Sequence, residues 1–192
     1  MKRIMSSAEL TGLLSRYSVG PKYLVEPGPS DEQLRLMVEA ALRAPDHGEL
    51  LPFRFKAVRG EAREKMARLF AEGARRAGKD EAGVQMDYER ALQPPLSVAV
   101  VAKLDLGHPQ VPVHEQWACV GGALANFLNA AHLLGYGGKM LSGAKVRDCG
   151  IQAAFCGPGE VLLGWISLGT PTRRPQGPAR KPGVETALID WA

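Results

Sequence analysis

The sequence predicts an α+β domain in which a sheet carries helices on both of its faces. Three observations lead to this class. Amphipathic helical patterns and short apolar strand patterns alternate along the 192 residues. One strand pattern, residues 97–102, is apolar almost without interruption, which is typical of a strand buried on both faces. No glycine-rich fingerprint follows a strand pattern, so a dinucleotide-binding α/β fold is not indicated.

The N-terminal half carries three helical patterns and one strand pattern. Leucine spacing predicts a short amphipathic helix over residues 6–15. Ser30 and Gln33 have the spacing of a capping box, so a second helix is predicted to begin there. Residues 53–59 alternate apolar and polar side chains as a half-buried strand does. Residues 61–77 then return to helical spacing and predict a third amphipathic helix.

The most distinctive pattern is a helix predicted over residues 115–134, which is apolar on nearly every side. Its length would suit a membrane span. Asn126, Asn129 and His132 form a polar stripe that lipid would not tolerate cheaply, so burial within protein is favoured. One small domain rarely covers all sides of such a helix. We therefore predict that a second subunit covers part of it.

The remaining segments predict a turn, a helix, a strand and an extended tail. The glycines of residues 135–139 suggest a phosphate loop, but Leu133 and Met140 stand where that motif needs glycine and Ser or Thr. A helix C-cap followed by a tight turn is predicted there instead. Beyond the turn, we predict a helix over residues 144–155, a strand over 161–168 and an extended segment over 169–183.

Composition narrows the class of function. A formal charge of +4 suits an anionic ligand such as a nucleotide or phosphate, but it is too weak to indicate nucleic acid. The three cysteines lack the spacing of a metal site, and the adjacent Asp46 and His47 have no nucleophile motif beside them. The basic N-terminus precedes no apolar signal segment. We therefore expect a single domain over residues 1–192, in the cytoplasm, without a metal.

Several segments, taken in order, resemble the nitroreductase family. They are Arg16-Tyr17-Ser18, Ala41 to Gly48 with the sequence A-L-R-A-P-D-H-G, Leu51-Pro52-Phe53, Val111 to Gln116, Gly137-Gly138, and Leu168 to Pro171. The A-P-D-H form and the short chain resemble the subfamily of small single-domain FMN-dependent NAD(P)H nitroreductases. The resemblance implies a nitroreductase-like three-layer sandwich, with a central mixed sheet between helices. It also implies a homodimer that holds FMN at its subunit interface.

The same resemblance implies the first cofactor-binding residues. Arg16 and Ser18 match positions that bind the FMN phosphate, and charge-assisted hydrogen bonds from such groups suit a phosphate dianion. Tyr17 stands between them where a second arginine is usual, so one phosphate contact differs. Arg43 and His47 match positions that contact the flavin, where a cation stabilises negative charge on the reduced ring.

A further contact segment departs from the subfamily. Met140, Leu141 and Ser142 stand where the subfamily has a W-R-S triplet, so only the serine is retained. Either Arg180 or Lys181 of the tail supplies a replacement contact, or flavin binding is weaker than in the subfamily. The residues alone leave both alternatives open.

The implied activity is a ping-pong reaction. NADH or NADPH would pass a hydride to FMN, and the same face would then reduce a nitroaromatic, a quinone or a similar electron-poor acceptor. No catalytic side chain is singled out. The replaced Trp and Arg keep open an alternative, a flavin-binding protein of this fold without nitroreductase turnover. A basic nucleic-acid-binding module ranks behind both, because no recognised binding motif accompanies the positive charge.

Overall fold

The computed structural model describes residues 8–173 and 182–191. Its helices are α1 (Ala8–Leu14), α2 (Asp31–Ala41), α3 (Glu61–Arg76), α4 (Glu81–Leu92), α5 (Val113–Leu133) and α6 (Cys149–Phe155). Its strands are β1 (Leu24–Val25), β2 (Phe53–Val58), β3 (Leu96–Lys103), β4 (Gly137–Leu141) and β5 (Glu160–Pro171). Short 3-10 helices cover Pro21–Tyr23, His47–Glu49, Ala144–Arg147 and Val184–Thr186.

The strands form one sheet in the order β1-β5-β3-β2, with β4 also paired to β5. Each of these strand pairs is antiparallel. A parallel bridge between Ser18 and Gly138 makes the sheet mixed, as predicted. The bridge joins the segment after α1 to β4, and β4 borders the candidate functional site.

Helices cover both faces of the sheet, which confirms the predicted α+β sandwich. The first face packs Val98 and Val100 of β3 against α2 and α5, around Phe127. The second face packs Ala99 and Val101 against α3 and α6. Alternate residues of β3 therefore enter opposite cores, and the strand is buried from Leu96 to Ala102 as its apolar pattern predicts.

The capping box predicted for α2 is present. The Gln33 backbone N–H donates to Ser30 Oγ at 3.2 Å, and the Ser30 backbone N–H donates to Gln33 Oε1 at 2.9 Å. Reciprocal bonds of this kind satisfy two backbone donors that a helix start otherwise leaves free. The start of α2 is thus determined by its own sequence.

The helix predicted over residues 144–155 is instead two short elements. Asp148 has an extended backbone between them, and its carboxylate accepts from the Ile151 N–H at 2.9 Å as the N-cap of α6. Arg76 of α3 donates to the same carboxylate at 2.6 and 2.9 Å. The hydrogen bonds from Arg76 lower the pKa of Asp148 to about 2, so the cap stays ionised. Capping at Asp148 is the physical reason why one continuous helix does not form.

Two elements departed from the sequence expectation. Residues 137–139 lie in strand β4 rather than in a tight turn, and only Gly135, with φ of 89°, has a turn conformation. A Cβ on Gly137 would lie 2.8 Å from Leu24 Cδ2, so glycine is needed where β4 and β1 approach. Helix α4 was not predicted, because only Val84, Asp87 and Ala91 of its residues are buried.

Helix α5 has one covered side within the chain. Cys119, Ala123 and Phe127 are buried against the first core, whereas Trp117 is 38% exposed, and Ala118, Gly121 and Ala125 are exposed with it. Within residues 8–173 and 182–191, one side of this helix is uncovered, as expected for a single chain. A second subunit over the exposed side stays a prediction. No helix in the described ranges meets the length and hydropathy that a membrane crossing requires.

Candidate functional site

A cavity of about 480 Å³ opens on the second face of the sheet, between β4, β5 and the α3–α4 pair. Its entrance is bounded by the Gly20–Lys22 segment on one side and by Leu141 and Ser142 on the other. Met66 and Phe70 of α3 form an apolar wall. Cavities of this size that combine apolar walls with a few polar groups are typical sites for small planar ligands and cofactors.

Backbone pairing brings two of the predicted contact segments together at the entrance. Ser18 forms its parallel bridge with Gly138, and the Val19 N–H donates to the Gly138 carbonyl at 3.1 Å. The segment that contains Arg16, Tyr17 and Ser18 therefore runs beside β4. Met140 and Leu141 are the last two residues of β4, and Ser142 follows them. Sequence positions more than 120 residues apart thus border one site.

The three residues of the second segment face different ways. Leu141 and Ser142 line the cavity. Met140 packs instead against the first core, on the α5 side of the sheet. Side chains of a strand alternate between its faces, so Met140 and Leu141 cannot both face the cavity.

Helix α5 holds the first segment through its C-terminal turn. Ser15 Oγ lies 3.0 Å from His132 Nε2, and the Tyr17 ring packs edge-on against the His132 ring at a centroid distance of 5.8 Å. Arg16 is half-buried, and its guanidinium has no hydrogen-bond or ion-pair partner in the described part of the chain. These contacts fix the backbone of the segment, and among the described residues the Arg16 charge is not neutralised.

Positive charge dominates the cavity entrance. Lys22 and Arg90 line it, and within the described ranges neither has an ion-pair partner. The Lys22 ammonium and the Arg173 guanidinium lie 4.9 and 5.2 Å from the centroid of the Tyr23 ring, which places a third cation nearby. An entrance with this charge favours an anionic ligand.

The acidic residue of the cavity, Asp87, is already neutralised by the protein. Its carboxylate accepts from Lys79 Nζ at 2.7 Å and Lys145 Nζ at 2.8 Å, and the side chain is almost fully buried. Burial tends to raise the pKa of Asp87, but hydrogen bonds from the two lysines outweigh that effect and lower it. Asp87 therefore stays ionised and cross-links α4 to the segment after β4.

His47 lies at the other end of α5, and Ala44, next to Arg43, packs against Gly122 in the middle of that helix. His47 Nδ1 is 2.7 Å from Glu115 Oε2 in the first turn of the helix. Glu115 and His132 are 17 residues apart, which corresponds to about 25 Å along a helix axis. Within one chain, His47 is therefore remote from the Arg16–Ser18 segment.

The loop that carries His47 has an unusual backbone. Gly48, Glu49 and Leu51 all have positive φ angles, of 73°, 53° and 47°. Asp46 stabilises this conformation by accepting from the Leu51 N–H at 2.8 Å. Left-handed non-glycine residues are costly and concentrate at functional sites, so this loop is a candidate contact surface.

Sequence reasoning missed the inner cavity residues. Ser97 of β3, with Trp165 and Ser167 of β5, lines the cavity beside Phe70. The Phe70 and Phe155 rings meet the Trp165 ring edge-on at centroid distances of 4.8 and 5.7 Å, which fixes its orientation. The available signal was a serine within each of two apolar strand patterns, since buried strand positions rarely carry polar side chains.

In the described part of the molecule, nothing indicates a metal site or an activated buried thiol. No group of three His, Cys, Asp or Glu side chains in residues 8–173 and 182–191 is arranged to hold a metal ion. Burial, with Asp46 nearby, raises the pKa of Cys119 to about 11, and burial also raises the pKa of Cys156. Neither thiol is thus a ready nucleophile. Arg180 and Lys181, which the sequence offered as replacement contacts, lie outside the described residues.

Comparison with known proteins gave consistent matches. The model of the family described as the Nitroreductase family matches residues 13–170. YdjA of Escherichia coli K12, provisionally named an NAD(P)H nitroreductase, is 36% identical over 149 residues, which cover 77% of this chain and 81% of YdjA. A nitroreductase-like protein from Bacillus cereus has a similar fold, with a TM-score of 0.80, 21% identity and 98% of each chain covered. A Desulfovibrio desulfuricans protein solved with FMN superposes with a TM-score of 0.71 at 21% identity, covering 97% of this chain and 98% of that one.

Proposed function

The chain belongs to the nitroreductase family, and from that premise we propose that it is an FMN-dependent NAD(P)H oxidoreductase. Its acceptors would be nitroaromatics, quinones or similar electron-poor molecules. One observation carries the proposal: the cavity between the Gly20–Lys22 segment and Leu141–Ser142 is lined by the cations Lys22 and Arg90, and the segment of Arg16 and Ser18 runs beside β4, which borders it. A structural neighbour from Desulfovibrio desulfuricans holds FMN, which supports the same cofactor here.

The residues present fit the two chemical parts of FMN. The cavity volume of about 480 Å³ is adequate for a planar ring system, and Met66, Phe70 and Leu141 offer it apolar surface. Arg16 and Ser18 would bind the phosphate, with Lys22 and Arg173 adding positive charge close by. Bound FMN would supply the two-electron chemistry between NAD(P)H and the acceptor.

The protein would contribute binding, orientation and exclusion of water. The edge-on contacts of Phe70 and Phe155 hold Trp165 in one orientation, so the inner wall is rigid. Leu141 is held by its pairing with Trp165 across β4 and β5. A rigid apolar site of this kind accelerates hydride transfer by positioning, and it needs no acid–base side chain.

The proposal includes a homodimer with a composite flavin site. A two-fold axis across the exposed side of α5 would pack two such helices antiparallel. That arrangement would bring the partner's Arg43 and the partner's His47 to the end of α5 where Arg16 and Ser18 lie. The separation of these residues within one chain, together with the exposed Ala118, Gly121 and Ala125, supports it.

The cofactor and the activity can be tested in one experiment. We expect the purified protein, soaked in FMN and desalted, to retain about one flavin per chain in its visible spectrum. With NADH or NADPH and p-benzoquinone or a nitroaromatic, it should oxidise the nicotinamide continuously. Retained flavin without oxidation of either nicotinamide would favour the flavin-binding protein without turnover. A protein that stays colourless would exclude the proposed function.

The composite site predicts that dimerisation and flavin binding are lost together. Gly121→Arg places a charge on the exposed side of α5, where an added Cβ meets nothing within 4 Å in the single chain. We expect a folded monomer by light scattering, with FMN affinity reduced roughly tenfold or more because the partner's Arg43 and the partner's His47 are lost. Ala82→Arg on the exposed surface of α4 is the charge-matched control. A Gly121→Arg dimer with unchanged FMN affinity would contradict the arrangement.

A further inference from the structure

Two serines lie opposite each other at the inner end of the cavity. Ser97 of β3 and Ser167 of β5 are register partners in the antiparallel pair, so their side chains share one face of the sheet. They are 3% and 2% exposed, and both line the cavity. Because they come from the two central strands, their positions are set by the most rigid part of the fold.

The hydrogen-bonding groups at this end of the cavity lack protein partners. No hydrogen bond joins the Ser97 or the Ser167 hydroxyl to a residue that the structure describes, and both side chains line the cavity. The adjacent Trp165, which is 4% exposed, has a buried indole Nε1 that also lacks a partner in the described ranges. Two hydroxyls that line one cavity, beside the unpaired and buried indole N–H of Trp165, indicate a polar surface that a ligand completes.

We propose that Ser97, Ser167 and Trp165 form a hydrogen-bonding floor that binds the carbonyl edge of the flavin ring system. The inference rests on the proposed function and adds to it the orientation of the ring. That edge carries two carbonyl acceptors on either side of one imide N–H donor. Hydroxyl groups both donate and accept, and an indole N–H donates, so the floor matches this alternation.

The surroundings of the floor support this orientation. Met66, Phe70 and Ala91 offer apolar contact beside the floor, which suits the flat faces of the ring rather than its polar edge. The cations Lys22 and Arg90 also line the cavity, and Ser18 is bridged to Gly138 of the neighbouring strand β4. The polar edge would thus lie deep in the cavity, with the phosphate-bearing chain directed outwards. Ser97, Ser167 and Trp165 act as positioning residues, since they hold the ring without taking part in bond changes.

The test combines hydroxyl removal with a blocked ligand. Ser97→Ala/Ser167→Ala should weaken FMN binding roughly tenfold in a fluorescence titration, since two hydrogen bonds are lost. The melting temperature of the flavin-free variant should be unchanged or higher, because the removed hydroxyls have no partners without ligand. FMN methylated at the imide nitrogen should bind the native protein more weakly than FMN does. The double variant should bind the two ligands about equally.

Each outcome separates this inference from the proposed function. Failure of the native protein to bind FMN would overturn both. Two outcomes would overturn the floor alone while the native protein still binds FMN. One is equal FMN affinity in the native protein and the double variant. The other is equal discrimination against the methylated ligand in both proteins. Trp165→Phe removes the indole N–H together with the pyrrole ring and keeps an aromatic side chain, so it serves as a second variant should the double substitution impair folding. It should weaken FMN binding about threefold, and unchanged affinity would exclude the indole from the floor.

Discussion

Replacing Arg16 with alanine is expected to weaken FMN binding by roughly 10- to 100-fold, because hydrogen bonds to charged groups contribute about 1.5–3 kcal/mol. The guanidinium of Arg16 lacks a partner in the described part of the chain, while Ser15 and Tyr17 on either side of it contact His132. Its backbone is therefore held in place, and no described residue neutralises its charge. The loss should appear in a fluorescence titration with FMN, with little change in the melting temperature of the flavin-free protein.

Two controls make the Arg16 result specific for phosphate. Riboflavin, which lacks the phosphate, should bind Arg16→Ala and the native protein with similar affinity. Arg35→Ala removes the same charge from an exposed position of α2 and should leave FMN affinity unchanged. Unaltered FMN affinity in Arg16→Ala would show that the phosphate binds elsewhere. An equal loss in Arg35→Ala would attribute the effect to net charge alone.

Gly164→Ala is expected to destabilise the protein by about 3 kcal/mol or more. Gly164 has φ of 142°, a conformation that favours glycine, and it lies where the pairing of β3 with β5 shifts register. A Cβ built on it would lie 2.0 Å from the Leu141 carbonyl oxygen. Relief of that clash requires movement of a backbone strand rather than of a flexible side chain. Urea denaturation of the flavin-free variant measures the loss.

The position of Gly164 also links stability to the site. Leu141 lines the cavity, so displacement of its backbone should weaken FMN binding as well. Gly159→Ala is the matched control, because Gly159 has φ of 73° but an added Cβ there meets nothing within 4 Å. It should cost about 1 kcal/mol from backbone conformation alone. Equal free energies of unfolding for the two variants would show that the close contact with Leu141 does not affect stability.

Much of the helical layer was predictable because its signals are local. The capping box of Ser30 and Gln33 and the apolar spacing after it define α2 without reference to other elements. The apolar run of β3 likewise predicted burial on both faces. The polar residues Asn126, Asn129 and His132 favoured a protein environment for α5 in the prediction, and one side of α5 is uncovered by the described residues.

The elements that sequence reasoning missed depend on distant partners. Strand β4 contains two glycines with little intrinsic strand preference, and it forms through register with β5, from Gly137 opposite Gly169 to Leu141 opposite Trp165. Helix α4 buries few residues, so its apolar pattern was too weak to predict it. Both elements are stabilised by contacts that no window of local sequence contains.

For the site, the sequence by itself determined the family and the identity of the first contact segments. Arg16, Ser18 and Ser142 match the resemblance at their own positions, and their roles stay predictions. Tertiary structure alone decided that Ser18 lies beside β4, that Met140 faces away from the cavity, and that His47 lies at the far end of α5. The floor of Ser97 and Ser167 exists only because strand pairing joins residues 70 positions apart. Local sequence specifies periodicity and caps, whereas a cavity is formed by the register of strands that meet only when the chain has folded.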